Sequence, residues 1–144
     1  MDRKDFMKQC AGGCLKLLVA PALIQGCSGT KYLSASIEDS DMIVPVSAFT
    51  GNDQGKFHSY VVVENEVLKF PICIYRFSPE EYKALWMQCT HQGNELQVFG
   101  DMLQCPAHGS EFTRTGDVQN GPAYLALRTF PITLVEDKLK ISLK

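Results

Sequence analysis

Two short segments of this 144-residue chain hold the residues suited to metal chemistry: Cys89-Thr90-His91 and Cys105-Pro106-Ala107-His108-Gly109-Ser110. Each offers one thiol and one imidazole. A [2Fe–2S] cluster accepts this mixture when one iron takes two Cys and the other two His, and exchanging anionic thiolate for neutral imidazole raises its reduction potential. A structural zinc accepts the same four side chains in a tetrahedron. Common zinc spacings pair Cys with Cys and His with His along the chain, whereas here each half is mixed, C-x-H and C-x-x-H. The mixed halves favour the cluster, because each loop then hands its Cys to one iron and its His to the other. Thirteen residues separate His91 from Cys105, enough for the chain to leave, form a β-hairpin and return. No constellation in the sequence bonds or activates a substrate, so such a centre would take up one electron and pass it on.

The elements that must position these loops read as short strands punctuated by turns from Met42 onward. Tyr60 to Val63, Glu64-Asn65-Glu66 and Val67 to Phe70 predict a hairpin, on β-branched residues and an Asn turn. Ile72 to Phe77 is apolar enough for a central strand, and Tyr82 to Met87 predicts a strand leading into the first ligand loop. Leu96 to Phe99 and Met102 to Gln104 flank Gly100-Asp101, a two-residue turn signal that places a hairpin between the ligand loops. Ile132 to Val135 and Leu139 to Leu143 close the sheet around Glu136-Asp137. This spacing predicts an all-β, antiparallel β-sandwich with the ligand loops forming a small lobe at one end. Trp86 and Phe99 are read as core aromatics, and His58, after Gly55-Lys56-Phe57, as a surface residue. Gly93 and Gly109, each just after a His, suit tight turns that bring backbone N–H groups close to a cofactor.

On Cys89, His91, Cys105 and His108 the chain resembles the Rieske iron–sulfur protein family, matching its four ligand positions one for one. Asn120-Gly121-Pro122-Ala123 looks like the family's glycine–proline segment over the cluster, and Phe130 to Leu143 like its closing hairpin. The resemblance covers Met42 to Lys144. It implies one [2Fe–2S] cluster per chain, with Cys89 and Cys105 on an inner iron, His91 and His108 on an outer iron near solvent, and Ser110 donating to a cluster sulfur. Family members in quinol-oxidising complexes carry an extra Cys in each ligand loop, joined as a disulfide; the matching positions here are Asn94 and Ala107. The position of a second potential-raising hydroxyl, a Tyr in those proteins, is Phe112. One of two such hydrogen bonds is kept, so a potential below the top of the Rieske range of about −150 to +300 mV is expected.

The N-terminus carries the second signal. Arg3-Lys4-Asp5-Phe6-Met7-Lys8 is a basic start, Leu15 to Ile24 a mostly apolar run, and Ile24-Gln25-Gly26-Cys27 places a small residue before Cys. The run is about half of the roughly twenty residues a membrane span needs, so 1–26 read as a signal peptide. The last four residues resemble a bacterial lipobox, whose Cys27 becomes the lipidated first residue, and the start resembles a twin-arginine signal with Lys4 in the second Arg position. Residues 27–41, rich in Ser and acidic residues, read as a lipidated N-terminus and flexible tether, and 42–144 as the cluster domain.

Cys10 and Cys14 fall in the removed segment, so a mature monomer with Cys27 acylated keeps only Cys73 besides the two ligand Cys. Cys73, in Phe70-Pro71-Ile72-Cys73-Ile74-Tyr75, reads as a small buried hydrophobe. Removing 1–26 leaves 118 residues, one domain's worth, and changes the balance of 14 basic and 16 acidic to 10 and 14, a net −4. That charge excludes a nucleic-acid partner and adsorption to anionic lipid by charge alone. The expected role is one-electron transfer by an exported, membrane-anchored lipoprotein facing the periplasm or cell exterior, between redox protein partners. The alternatives are the Rieske subunit of a quinol-oxidising complex and a structural zinc-binding interaction module. A cytoplasmic oxygenase-associated ferredoxin has similar ligand loops, and the export signal argues against it.

Overall fold

The computed structural model describes residues 29–52 and 55–144. The expected signal peptide, 1–26, and the expected lipidation site Cys27 lie outside them. Among the described residues thirteen strands form three sheets. The central sheet has the order β1-β4-β5-β6-β11, from β1 (Tyr32–Ser34), β4 (Tyr60–Glu64), β5 (Ile72–Arg76), β6 (Tyr82–Trp86) and β11 (Thr129–Phe130). A second sheet, β12-β13-β3-β2, combines β2 (Ser36–Glu38), β3 (Asp41–Pro45), β12 (Ile132–Val135) and β13 (Lys138–Ser142). The third, β10-β9-β8-β7, combines β7 (Gln97–Phe99), β8 (Met102–Gln104), β9 (Glu111–Phe112) and β10 (Val118–Asn120). All named pairings are antiparallel except β1 with β4.

The continuous apolar runs of β4 and β5 have a physical cause: the central sheet is buried on both faces. Successive side chains of a strand point to opposite faces. One face gives Val61, Val63, Ile72, Ile74 and Ala84 to a core shared with Met42, Val44, Phe49, Leu139 and Ile141. The other gives Val62, Cys73, Tyr75 and Leu85 to a second core with Met87, Leu96, Leu103, Phe112 and Leu127. Cys89 and Cys105 belong to that second core, so the lobe bearing the ligand loops packs over a sheet face as well as extending from its end.

Several expectations hold. Ile72 to Arg76 is the central strand, Tyr82–Trp86 is a strand, and β7 and β8 pair around Gly100 at φ +58 with Val98 opposite Leu103. Other expectations need correction. The predicted return strand at Val67 to Phe70 is a turn, and β4 pairs instead with Ile72–Arg76. Asn65 explains the difference: its side-chain carbonyl accepts the Val67 N–H at 3.0 Å and its amide donates to the Ala35 carbonyl at 2.8 Å, which closes a turn where a ladder would begin. Phe99, expected in the core, is 62% exposed, because the outward face of a three-residue strand has no layer above it. Trp86 is half-buried between Phe70 and Phe130, with its indole N–H donated to Gln88.

Part of the stretch expected to be a flexible tether is ordered. Tyr32 to Glu38 forms β1 and β2, pinned by Ala35 N–H to the Glu64 carbonyl, Val62 N–H to the Lys31 carbonyl, and the Lys31 ammonium to the Ala48 carbonyl at 3.0 Å. Leu33 and Ile37 pack against the first core, so this polar stretch carries enough apolar contact to order it. A chain beginning at Met42 is therefore expected to be less stable than one beginning at Gly29 by about 2 kcal/mol or more, measured by urea unfolding. Equal midpoints would restore the tether reading.

Candidate metal centre

Cys89 to Asn94 and Cys105 to Ser110 are twin loops of six residues. In each, the Cys carbonyl accepts the N–H of the fifth residue at 2.9 Å, Gly93 or Gly109, and the Cys N–H donates to the carbonyl of the sixth at 2.8 Å, Asn94 or Ser110. Both glycines sit at φ near +80, +78 for Gly93 and +79 for Gly109, where a side chain is strained and glycine is not. The first loop is closed below by the Gln88–Glu95 bridge and the second by Gln104 opposite Glu111. Strands β7 and β8, between them, set the two loops side by side.

Within these equivalent turns the thiols point inward and the imidazoles outward. Cys89 is 2% and Cys105 1% exposed. Burial pushes the Cys89 thiol up from its ordinary value, with the neighbouring Cys105 sulfur adding to the rise, while the His91 backbone N–H and the Ser110 hydroxyl at its sulfur pull it down. Both thiols lie in the second core. His91 and His108 stack edge to face with ring centroids 5.0 Å apart, His91 half-buried and His108 exposed. The four residues thus divide into a sulfur pair and an imidazole pair. Among the described residues no three His, Cys, Asp or Glu gather at one point as a single metal ion would require.

The His91 Nδ1 atom is buried and has no hydrogen-bond partner. Such an orphan is costly, and a bond to iron would remove the cost. It belongs to one ring of the imidazole pair, and His91 lies two residues from the buried Cys89 thiol, so the residues present fit a two-iron cluster held two and two.

Ser110, fully buried, accepts the Ala123 N–H on its hydroxyl oxygen at 3.0 Å. It thereby ties the second ligand loop to the segment after Gly121-Pro122, whose peptide is cis. Thr90 ties the first loop to the same segment, donating its hydroxyl to the Leu125 carbonyl at 2.7 Å. Sequence reasoning did not single out Thr90, although a hydroxyl between two ligands was a signal available to it. Cys73 is wholly buried, and burial drives its thiol far up with only the Tyr75 hydroxyl pulling the other way, which suits its expected role as an apolar filler. His58 is exposed, outside both ligand loops.

An all-β domain presenting a buried thiol pair beneath a surface imidazole pair is the frame of an iron–sulfur electron-transfer protein. A family model for the Rieske [2Fe–2S] domain matches residues 44–131, and the chain belongs to that family. The family implies a [2Fe–2S] cluster. No curated protein matches the chain. Among solved structures, the plasma membrane Rieske protein PetC3 from Synechocystis PCC 6803 is 24% identical at a TM-score of 0.51, over 58% of this chain and 86% of that one. A chain of the complex of reduced oxygenase and oxidized ferredoxin in carbazole 1,9a-dioxygenase is matched at 20% identity and a TM-score of 0.51, over 71% of this chain and 91% of that one. The Sphingomonas yanoikuyae B1 ferredoxin is matched at 21% identity and a TM-score of 0.50, over 69% and 94%. At these identities the likeness shows the fold.

Replacing Ser110 by Ala strands the Ala123 N–H, 4% exposed as a residue, without a partner. We expect Ser110→Ala to cost about 1–3 kcal/mol in denaturant unfolding, and an unchanged midpoint would deny the hydroxyl any anchoring role.

Proposed function

We propose that Cys89 and Cys105 hold one iron and His91 and His108 the other, and that the chain is an exported, lipid-anchored one-electron carrier or small oxidoreductase subunit. The single observation that carries the ligand assignment is the two-by-two division, thiols inside and imidazoles outside, with His91 Nδ1 left without a partner. When bound, the cluster supplies one-electron redox chemistry at a raised potential.

The chain's own residues bury, orient and expose. The second core keeps water from the two sulfurs through Met87, Leu96, Leu103 and Phe112. The Ser110 hydroxyl and the His91 backbone N–H lie at the Cys89 sulfur and stabilise extra negative charge there, which favours the reduced state. Phe112, fully buried, offers no hydroxyl to add to them. His108, exposed, and His91 bring the centre to the surface, where a partner protein can approach for direct electron transfer.

The basic start, apolar run and Gly26-Cys27 support export and lipid attachment. Among the described residues no helix is long and apolar enough to cross a membrane. Asn94 and Ala107 in place of a disulfide pair favour a carrier over the quinol-oxidising subunit.

The full chain, expressed with iron, should contain two irons and give the EPR signal of a reduced cluster with average g below the free-electron value. Cys89→Ala should abolish colour and signal, and His58→Gln should leave both unchanged. Colourless protein with one tightly held zinc after anaerobic iron–sulfur reconstitution would overturn the reading.

A further inference from the structure

The first ligand loop forms one wall of a cleft of about 390 Å³, a size that admits a small organic molecule. Trp86 and Gln88 line it where the chain leaves β6, Thr90 and His91 line it from the loop, and Leu125 and Arg128 line it from the segment opposite. These walls are joined at two points. The Thr90 hydroxyl donates to the Leu125 carbonyl at 2.7 Å, and the Trp86 backbone N–H donates to the Arg128 carbonyl at 2.9 Å, so the opening is built into the fold.

The lining describes what it would hold. Its one charged side chain is Arg128, and it contains no carboxylate. The Arg128 guanidinium lies 4.6 Å over the Phe130 ring and donates to the Leu143 carbonyl at 3.4 Å, a long bond, and no carboxylate among the described residues pairs with it. A guanidinium carries five N–H donors, so most of them remain for an incoming acceptor. Gln88 adds an amide donor. The Trp86 indole N–H can only donate, and it meets Gln88 at 2.9 Å, so the amide atom there is the carbonyl oxygen and the NH2 group is the other branch. That NH2 group has no partner among the described residues and lies against Gly93, 3.2 Å from where a Cβ would stand. The half-buried Trp86 indole, packed edge to face with Phe70 and Phe130, gives the lining an aromatic surface.

We propose that this cleft binds a small aromatic carboxylate, with the carboxylate on Arg128 and the Gln88 amide and the ring against Trp86. A carboxylate and a guanidinium match as a two-point, charge-assisted pair. An uncharged ring forgoes that pair and a carboxylate without a ring forgoes the indole, so full affinity needs both. A negative charge bound beside His91 opposes an added electron. On the two-iron cluster reading, on which this step rests, the ligand therefore binds the oxidised protein more tightly than the reduced one and by linkage lowers the reduction potential.

The probe is benzoate, titrated into the iron-loaded full chain while the emission of Trp86, the only tryptophan of the sequence, is followed. We expect saturation with a half-point on the order of 1 mM, and binding at least tenfold weaker for benzamide, which lacks the charge, and for acetate, which lacks the ring. Arg128→Gln should weaken benzoate at least tenfold. Gln88→Glu keeps an acceptor for the Trp86 indole but sets a carboxylate against the ligand, and should weaken it as much; if one variant fails to fold, the other decides. The reduction potential should fall as benzoate is added and level off at the same half-point. No saturable change in the millimolar range, or saturation that the folded variants leave unaltered, overturns the site, and equal affinity for acetate or benzamide overturns the ligand class. Benzoate bound through Arg128 with an unmoved potential overturns the coupling to the cluster. Protein that binds benzoate through Arg128 yet holds no iron supports the site and overturns the cluster reading.

Discussion

The pairing of β7 with β8 is the constraint on which the site depends. Val98 opposite Leu103 and Gln97 opposite Gln104 bring the ends of two separate six-residue loops together. A slip of one residue would turn Leu103 outward and the following Cys105 with it. The same register places Leu96 and Leu103 in the core behind the sulfurs, so burial of apolar surface and alignment of the ligands are one event. Gly100, at φ +58, lets the connection turn in two residues and gives the register no slack.

Lacking a disulfide between them, the ligand loops are held by two side-chain hydrogen bonds to a third segment. Thr90 reaches the Leu125 carbonyl from the first loop, and Ser110 receives the Ala123 N–H from the second. A bond of this kind is worth about 0.5–1.5 kcal/mol, and more is lost when a buried partner is left unpaired. The 121–127 segment is itself anchored by the Leu127 N–H on the Gly116 carbonyl and by Ala123 and Leu127 in the core. Gly116 is there for space: a Cβ would lie 3.0 Å from Leu85, and its φ is +90. The three loops thus brace one another without covalent links.

Much of this was legible because chemistry writes itself locally. C-x-H and C-x-x-H, with Gly93, Gly109 and Ser110, point to the candidate site, and the Gly100-Asp101 turn names the hairpin between its two loops. The errors share a different cause, since each depended on contacts distant in sequence. Asn65 forms a turn because Ala35, thirty residues earlier, accepts its amide. Residues 32–38, polar by composition, are ordered by strands β4 and β3. Phe99 looked like core only until the sheet proved to have no layer above it. The apolar run at Ile72 to Phe77 signalled a central strand, and the lobe packed against the second face of its sheet was the part that pattern did not name.

The central claim is that two imidazoles and two thiols divide between two irons. Pulsed EPR of the reduced full chain grown with 15N-histidine tests it most directly. The account predicts hyperfine couplings from two directly bound nitrogens, reduced to one by replacing His108, and unaffected by replacing His58. A cluster with no strongly coupled nitrogen, or with coupling that survives loss of both His91 and His108, would contradict it.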